Sequence, residues 1–164
     1  MMERIIIHWT AGTGFPNNID LEHYHYLIDQ DGIVKNGICK PIDNENCQDG
    51  KYAAHTGGGN TGSIGISMCG MYGYIENKPL SSKYPLRAVQ CESCWRKIAE
   101  LCREYGIPVR PDTVMTHYEF GKNHPNTASA GKIDIIYLPP YPWVKKEDIG
   151  TFIRNKVKWY LQHI

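Results

Sequence analysis

Ile5-Ile6-Ile7-His8-Trp9, followed by Ala11-Gly12-Thr13-Gly14, is the stretch on which the fold turns. A run of β-branched residues closed by glycines predicts a buried strand, because branched side chains pack well on a pleated surface and the glycines break the pattern. Such a strand hands its last side chains, His8 among them, to the loop beyond.

The segments on either side extend this reading. Tyr24 to Ile28 and Ile33 to Lys35 are strand-like, and Asp29-Gln30-Asp31-Gly32 joins them as the turn of a hairpin. Ser63-Ile64-Gly65-Ile66-Ser67-Met68-Cys69 reads as a central strand, with Gly65 allowing close approach of other groups. Thr113 to Thr116 is a further short strand that delivers His117 to a loop rich in Gly, Asn, Pro, Ser and Ala, running to Gly131. Helical spacing holds from Leu86 to Tyr105, where Gly106-Ile107-Pro108 stops it, and again from Lys146 to Leu161. The expectation is an α/β (α+β) domain, a central mixed β-sheet flanked by helices, with residues 1–164 forming a single domain.

Bulk properties narrow the function by exclusion. The chain has 164 residues, 41% hydrophobic, and a formal charge of +1, so nothing in its charge favours nucleic acid or a membrane surface. No apolar run approaches the roughly 18 residues that span a bilayer. The opening Met1-Met2-Glu3-Arg4 is too quickly polar for a secretory signal, which predicts synthesis in the cytoplasm. Six cysteines, Cys39, Cys47, Cys69, Cys91, Cys94 and Cys102, are expected to be mostly free thiols. Cys91-x-x-Cys94 lies in the helical stretch and reads as helix-surface thiols, since a structural zinc site needs a second pair to close its tetrahedron.

Two histidines at strand ends next to flexible loops, His8 and His117, suit metal ligation, which needs donors held by rigid elements beside an open position. A lone strand-end histidine is more often a hydrogen-bonded structural residue. Lys132-Ile133-Asp134 adds an ammonium and a carboxylate two residues apart, on one side if the segment is extended. Its plain alternative is a surface ion pair of little consequence.

Taken in order, five blocks resemble a known family: Ile5-Ile6-Ile7-His8-Trp9-Thr10-Ala11-Gly12; His23-Tyr24-His25-Tyr26-Leu27-Ile28-Asp29 with Asp31-Gly32; Ala54-His55 with Asn60-Thr61-Gly62-Ser63-Ile64-Gly65-Ile66; Thr116-His117-Tyr118-Glu119; and Gly131-Lys132-Ile133-Asp134. The chain is similar to the zinc-dependent N-acetylmuramoyl-L-alanine amidases, the family of phage lytic amidases and peptidoglycan recognition proteins. The resemblance implies one Zn2+ per chain held by His8, His117 and Asp134, with Tyr24 and Lys132 in catalysis. It places His55 and Asn60 against substrate, although for His55 a hydrogen bond anchoring its loop is the competing reading. The implied reaction is hydrolysis of the amide between N-acetylmuramic acid and L-alanine in peptidoglycan, by a monomer acting at the cell wall without a separate wall-binding module.

Two departures from the family pattern stand out. Other branches carry a glutamate as general base where this chain has Ser67, so Tyr24 gains weight, as a hydrogen-bond donor rather than a base given an ordinary tyrosine pKa near 10. The spacings also differ. The interval from His8 to Tyr24 is short where many relatives fit a helix, and the loop from Phe120 to Ala130 is long. His124 in that loop is expected to be exposed, as is His163. Alternation along a strand would turn His23 and His25 away from the face carrying Tyr24, so both are read as structural. Alternatives to the lytic hydrolase are a module that binds peptidoglycan without cutting it, an amidase of soluble muropeptides in wall recycling, and a secreted antibacterial effector. Asp134 argues against the first of these, because such modules usually lack the third ligand.

Overall fold

The isoleucine run lies inside a five-stranded sheet. The computed structural model describes residues 1–164. Its strands are β1 (Arg4–Trp9), β2 (Tyr26–Ile28), β3 (Val34–Asn36), β4 (Ser63–Met68) and β5 (Val114–Thr116), in the order β3-β2-β4-β1-β5. β1 runs parallel to both β4 and β5, β2 parallel to β4, and only the β2–β3 hairpin is antiparallel. The sheet is therefore mixed, as expected, and β1 and β4 are buried along almost their whole length.

Alternation sorts the two faces. Ile5, Ile7 and Trp9 of β1, with Ile64, Ile66 and Met68 of β4, point to one side and join a cluster of 26 buried residues. Two helices cover that side, α2 (Ala88–Tyr105) and α4 (Ile149–Leu161), and they also pack on each other. The opposite face is nearly without aliphatic cover: Ile6, Met115 and Phe120 form a small cluster, and beside it lie His8, Ser63, Gly65 and Ser67. Polar residues and a glycine on a fully buried strand face mark the side where the chemistry is built.

Two short helices complete the fold, and both differ from the sequence expectation. α1 (Asn18–His23) fills the interval before Tyr24, which is the residue closing this helix rather than the first residue of a strand. Asn17 and Asp20 cap α1 reciprocally, each side chain accepting from the other's backbone N–H. α3 (His117–Asn123) begins where a loop was expected; Thr116 and Glu119 form the same reciprocal cap. His117 thus stands on the first turn of a helix immediately after β5.

The cysteine reading is corrected in one respect. All six thiols are free, but Cys91, Cys94 and Cys102 face inward from α2 and are buried in the core, with Trp95 and Ile98 between them. Burial pushes the thiols of Cys91, Cys94 and Cys102 up, so they are apolar filling and poor metal ligands. No helix is long and apolar enough to cross a membrane.

Candidate metal centre

The last cross-strand pair of β1 and β5 is Ile7 with Thr116, so His8 and His117 are the next residues of two adjacent parallel strands. Their rings stand 4.6 Å apart at the carboxyl ends of those strands, the end of a parallel sheet where loops leave a crevice. Asp134 reaches the same point from the irregular segment after Gly131. Its Oδ2 lies 3.0 Å from His8 Nδ1 and 3.3 Å from His117 Nδ1. All three residues are buried, and their donor atoms lie within 4.8 Å of one another.

Proton bookkeeping shows what these atoms offer. Ser129 Oγ donates to the Gly57 carbonyl at 2.8 Å, so it accepts from His117 Nε2–H at 2.9 Å, and the proton of neutral His117 sits on Nε2. Behind His8, His55 Nε2 faces the Ser63 carbonyl at 3.2 Å and must be its donor. His55 Nδ1 is then an acceptor for the Thr56 hydroxyl at 2.7 Å, and the oxygen of that hydroxyl accepts from His8 Nε2–H at 3.3 Å. Both ligand histidines therefore aim a bare Nδ1 lone pair at the Asp134 carboxylate. Three acceptors facing one another in a buried space repel unless a cation or a proton lies between them.

The dimensions suit zinc. A tetrahedron with bonds of about 2.0–2.1 Å has edges of about 3.3 Å, close to the observed contacts of 3.0 and 3.3 Å. Two neutral imidazoles and one carboxylate are a common donor set of zinc sites that keep an open position. Burial holds the His8 ring down to about 4, against the ordinary 6.5, which keeps it neutral and available as a ligand.

His117 and Asp134 line an open cavity of about 600 Å³, and His8, fully buried, stands against both of them. Tyr24, Lys132, His55 and Asn60 also line it, together with Trp9, Met71, Tyr74 and Ile133. The structure thus brings every candidate residue read from the sequence to one place. The Tyr24 ring is 5.1 Å from that of His8. Burial, and then the Asp134 charge, push its hydroxyl well above the ordinary tyrosine range, so it remains a phenol at neutral pH. Lys132 is exposed at the rim.

His55 and Asn60 differ from the other two in where their polar atoms go. Both ring nitrogens of His55 are engaged inside the protein. The Asn60 side-chain oxygen accepts from the backbone N–H groups of His55 and Thr56 at 3.0 and 2.8 Å. A Cβ at Gly65 would overlap the His55 ring, which gives the close approach expected of this glycine its partner. His25 has a structural role: it is buried, accepts from Gly65 N–H through Nδ1 and donates to Asn44 through Nε2. His23 lies at the end of α1 and bonds the Ala54 carbonyl. His124 is exposed and stacked on Phe120, and His163 is exposed. Ser129, fully buried and in contact with His117, went unnoticed in the sequence because nothing local distinguishes it from its Ser/Ala-rich surroundings.

Known proteins share this arrangement of elements. A family model described as N-acetylmuramoyl-L-alanine amidase matches residues 2–134, a span that takes in every residue of the metal cluster. Among solved structures, a single-substitution mutant of PlyL aligns over 95% of this chain and 84% of its own, with a TM-score of 0.52 at 19% identity. The N-acetylmuramoyl-L-alanine amidase LysC from Clostridium intestinale URNW aligns over 70% of this chain and 69% of its own, with a TM-score of 0.47 at 17% identity. Drosophila peptidoglycan recognition protein SD aligns over 77% and 74%, with a TM-score of 0.49 at 16% identity. At these identities the PlyL match is a likeness of fold. No curated protein matches the chain.

Proposed function

The chain belongs to the N-acetylmuramoyl-L-alanine amidase family, and on that premise we propose that it is a zinc-dependent hydrolase of the amide joining N-acetylmuramic acid to L-alanine in peptidoglycan, a phage-type lysin of the bacterial wall. The observation that carries this reading is the convergence of His8 Nδ1, His117 Nδ1 and an Asp134 oxygen beside an open cavity that His117 and Asp134 line. A module that only holds peptidoglycan has no need of three buried acceptors aimed at one point.

In this reading His8, His117 and Asp134 would hold the ion beside the cavity. Zinc bound there would supply Lewis acidity, polarising a carbonyl and lowering the pKa of a water toward roughly 7. The remaining work falls to the chain. Tyr24 stays protonated and donates a hydrogen bond, and the Lys132 ammonium adds positive charge from the rim. Together they stabilise the negative charge that grows on the scissile carbonyl oxygen, where one well-placed donor is worth roughly 3 to 4 kcal/mol. His55 and Asn60 hold the loop that forms one wall of the groove. Trp9, Met71, Tyr74 and Ile133 offer apolar surface to the glycan and the stem peptide. Peptidoglycan is the partner, and residues 1–164 act as one catalytic domain and as a monomer.

Digestion of purified sacculi tests the proposal, with the metal stripped by a chelator and zinc then restored. Free stem peptides beginning with L-alanine, lost on stripping and recovered with zinc, are expected by mass spectrometry. Binding to sacculi with no peptide released under any metal condition would replace the hydrolase with a recognition module.

A further inference from the structure

Ser129 lies on the long segment between α3 and Asp134, yet its side chain is directed away from the groove. It is fully buried, and its single hydroxyl does two things: it accepts from His117 Nε2–H at 2.9 Å and donates to the Gly57 carbonyl at 2.8 Å. The backbone around it is held closely. A Cβ at Gly121 would overlap the Ser129 carbonyl, so α3 and the Ser129 turn touch main chain to main chain. The Gly57 carbonyl belongs to the loop that also carries His55 and Thr56, the groups behind His8. The outward N–H groups of both ligand histidines therefore end on one loop. His8 reaches it directly through His55 and Thr56, and His117 reaches it through Ser129.

We infer that Ser129 is the positioning residue of the His117 ligand: by accepting from Nε2–H and passing its own proton to Gly57, it fixes the tautomer that leaves Nδ1 bare and holds the ring toward Asp134. The inference rests on the metal-site reading above. An imidazole with a free outer nitrogen places its proton on either nitrogen and rotates about its side-chain bonds; both freedoms oppose metal binding. A serine whose own proton is already committed to a backbone carbonyl is an acceptor only, so it permits a single tautomer. The length of the Phe120-to-Ala130 segment thereby acquires a purpose, since it carries this hydroxyl to the far side of His117.

The test uses the full chain and zinc itself. Competition with a chromophoric chelator should show Ser129→Ala binding zinc about 10- to 100-fold more weakly than the unaltered protein. Ser129→Thr, which retains the acceptor oxygen, should recover most of the loss. The cobalt-substituted Ser129→Ala protein should show an altered visible spectrum, which a purely structural role would leave unchanged. Nitrogen-15 spectra of the unaltered, metal-free protein provide a readout that needs no variant, and they should show His117 protonated on Nε2. Wild-type zinc affinity and cobalt spectrum in Ser129→Ala, or a proton on His117 Nδ1, would overturn the inference. Failure of the unaltered protein to bind zinc would instead defeat the metal-site reading, while the nitrogen-15 measurement still decides the role of Ser129.

Discussion

His55 Nδ1 lies 3.2 Å from His8 Nε2, which puts a buried histidine behind a ligand histidine rather than in front of it. Removing a group in this position acts on the metal before it acts on substrate. His55→Ala is expected to weaken zinc binding about 10- to 100-fold and to leave KM nearly unchanged once zinc is saturating. A raised KM with unaltered zinc affinity would return His55 to the substrate-binding role its motif suggests.

His8→Ala and Asp134→Ala each remove one of three donors. Zinc retention and amidase activity should be lost together, as measured by metal content after gel filtration and by peptide release from sacculi. A variant that still holds stoichiometric zinc would take that residue off the ligand set.

Tyr24→Phe and Lys132→Met should separate chemistry from metal binding. Each is expected to keep its zinc and lose about 10²- to 10³-fold in kcat, with a smaller change in KM, because both groups act on charge that appears only in the transition state. Equal losses in zinc content and kcat would mean that the side chain supports the metal instead.

The metal-free protein should lose stability as pH falls. Burial depresses His25 to about 4 from 6.5, depresses His8 to about 4, and lowers His55 as well. The unfolded chain therefore binds protons first, near pH 6.5. The stabilisation from keeping these rings neutral is complete above that pH, declines from there to about 4, and levels off below. For His25 alone it is worth up to about 3 kcal/mol. Urea midpoints between pH 8 and 4 should fall for the unaltered apo-protein and fall less for His25→Asn; parallel curves would contradict this account.

Arg154 of α4 donates to both oxygens of Glu119 at 3.0 Å and to the Val114 carbonyl at 2.9 Å, and Gly150 gives the Glu119 carboxylate room against α4. This network ties α4 to the cap of α3, which begins with His117. Arg154→Met should cost about 2 kcal/mol, less than a fully buried pair because the Glu119 carboxylate is partly exposed. Gly150→Ala, which forces a Cβ onto that carboxylate, should cost about 1–3 kcal/mol. Both are measured by urea denaturation, and an unchanged midpoint in either would remove the network from the stability of the fold.

The elements that were legible in the sequence are those whose signal is long or emphatic. β1 carries an unbroken isoleucine run, β4 alternates Ile64, Ile66 and Met68 with small residues, the hairpin carries its Asp-Gly turn, and α2 has five turns of periodic residues ended by a glycine in the left-handed region. α1 and α3 were missed because six and seven residues are too few to establish a period. Their caps, Asn17 with Asp20 and Thr116 with Glu119, were nonetheless written in the sequence. His8 and His117 stand out as strand-end histidines, whereas Asp134 sits in irregular chain, where the residues alone offer a carboxylate beside Lys132 and its place as third ligand comes through resemblance. The burial of the α2 thiols and the role of Ser129 depend on which surfaces meet, and for Ser129 the partner is Gly57, 72 residues away. No local pattern encodes a contact of that separation.

The three donors do not have the same origin. One lies on β1 and one opens the helix that directly follows the neighbouring parallel strand β5, both fixed by regular backbone, and the third comes from a coil that pairs with no strand. Donor identity is therefore modular: a thiolate or an imidazole exchanged for the carboxylate at position 134 alters the charge and softness of the site while asking only a short stretch of irregular chain to readjust. Under the proposed function, the sheet and the helix that follows it would set where a metal sits, and the coil would set which metal is preferred and how strongly it acts.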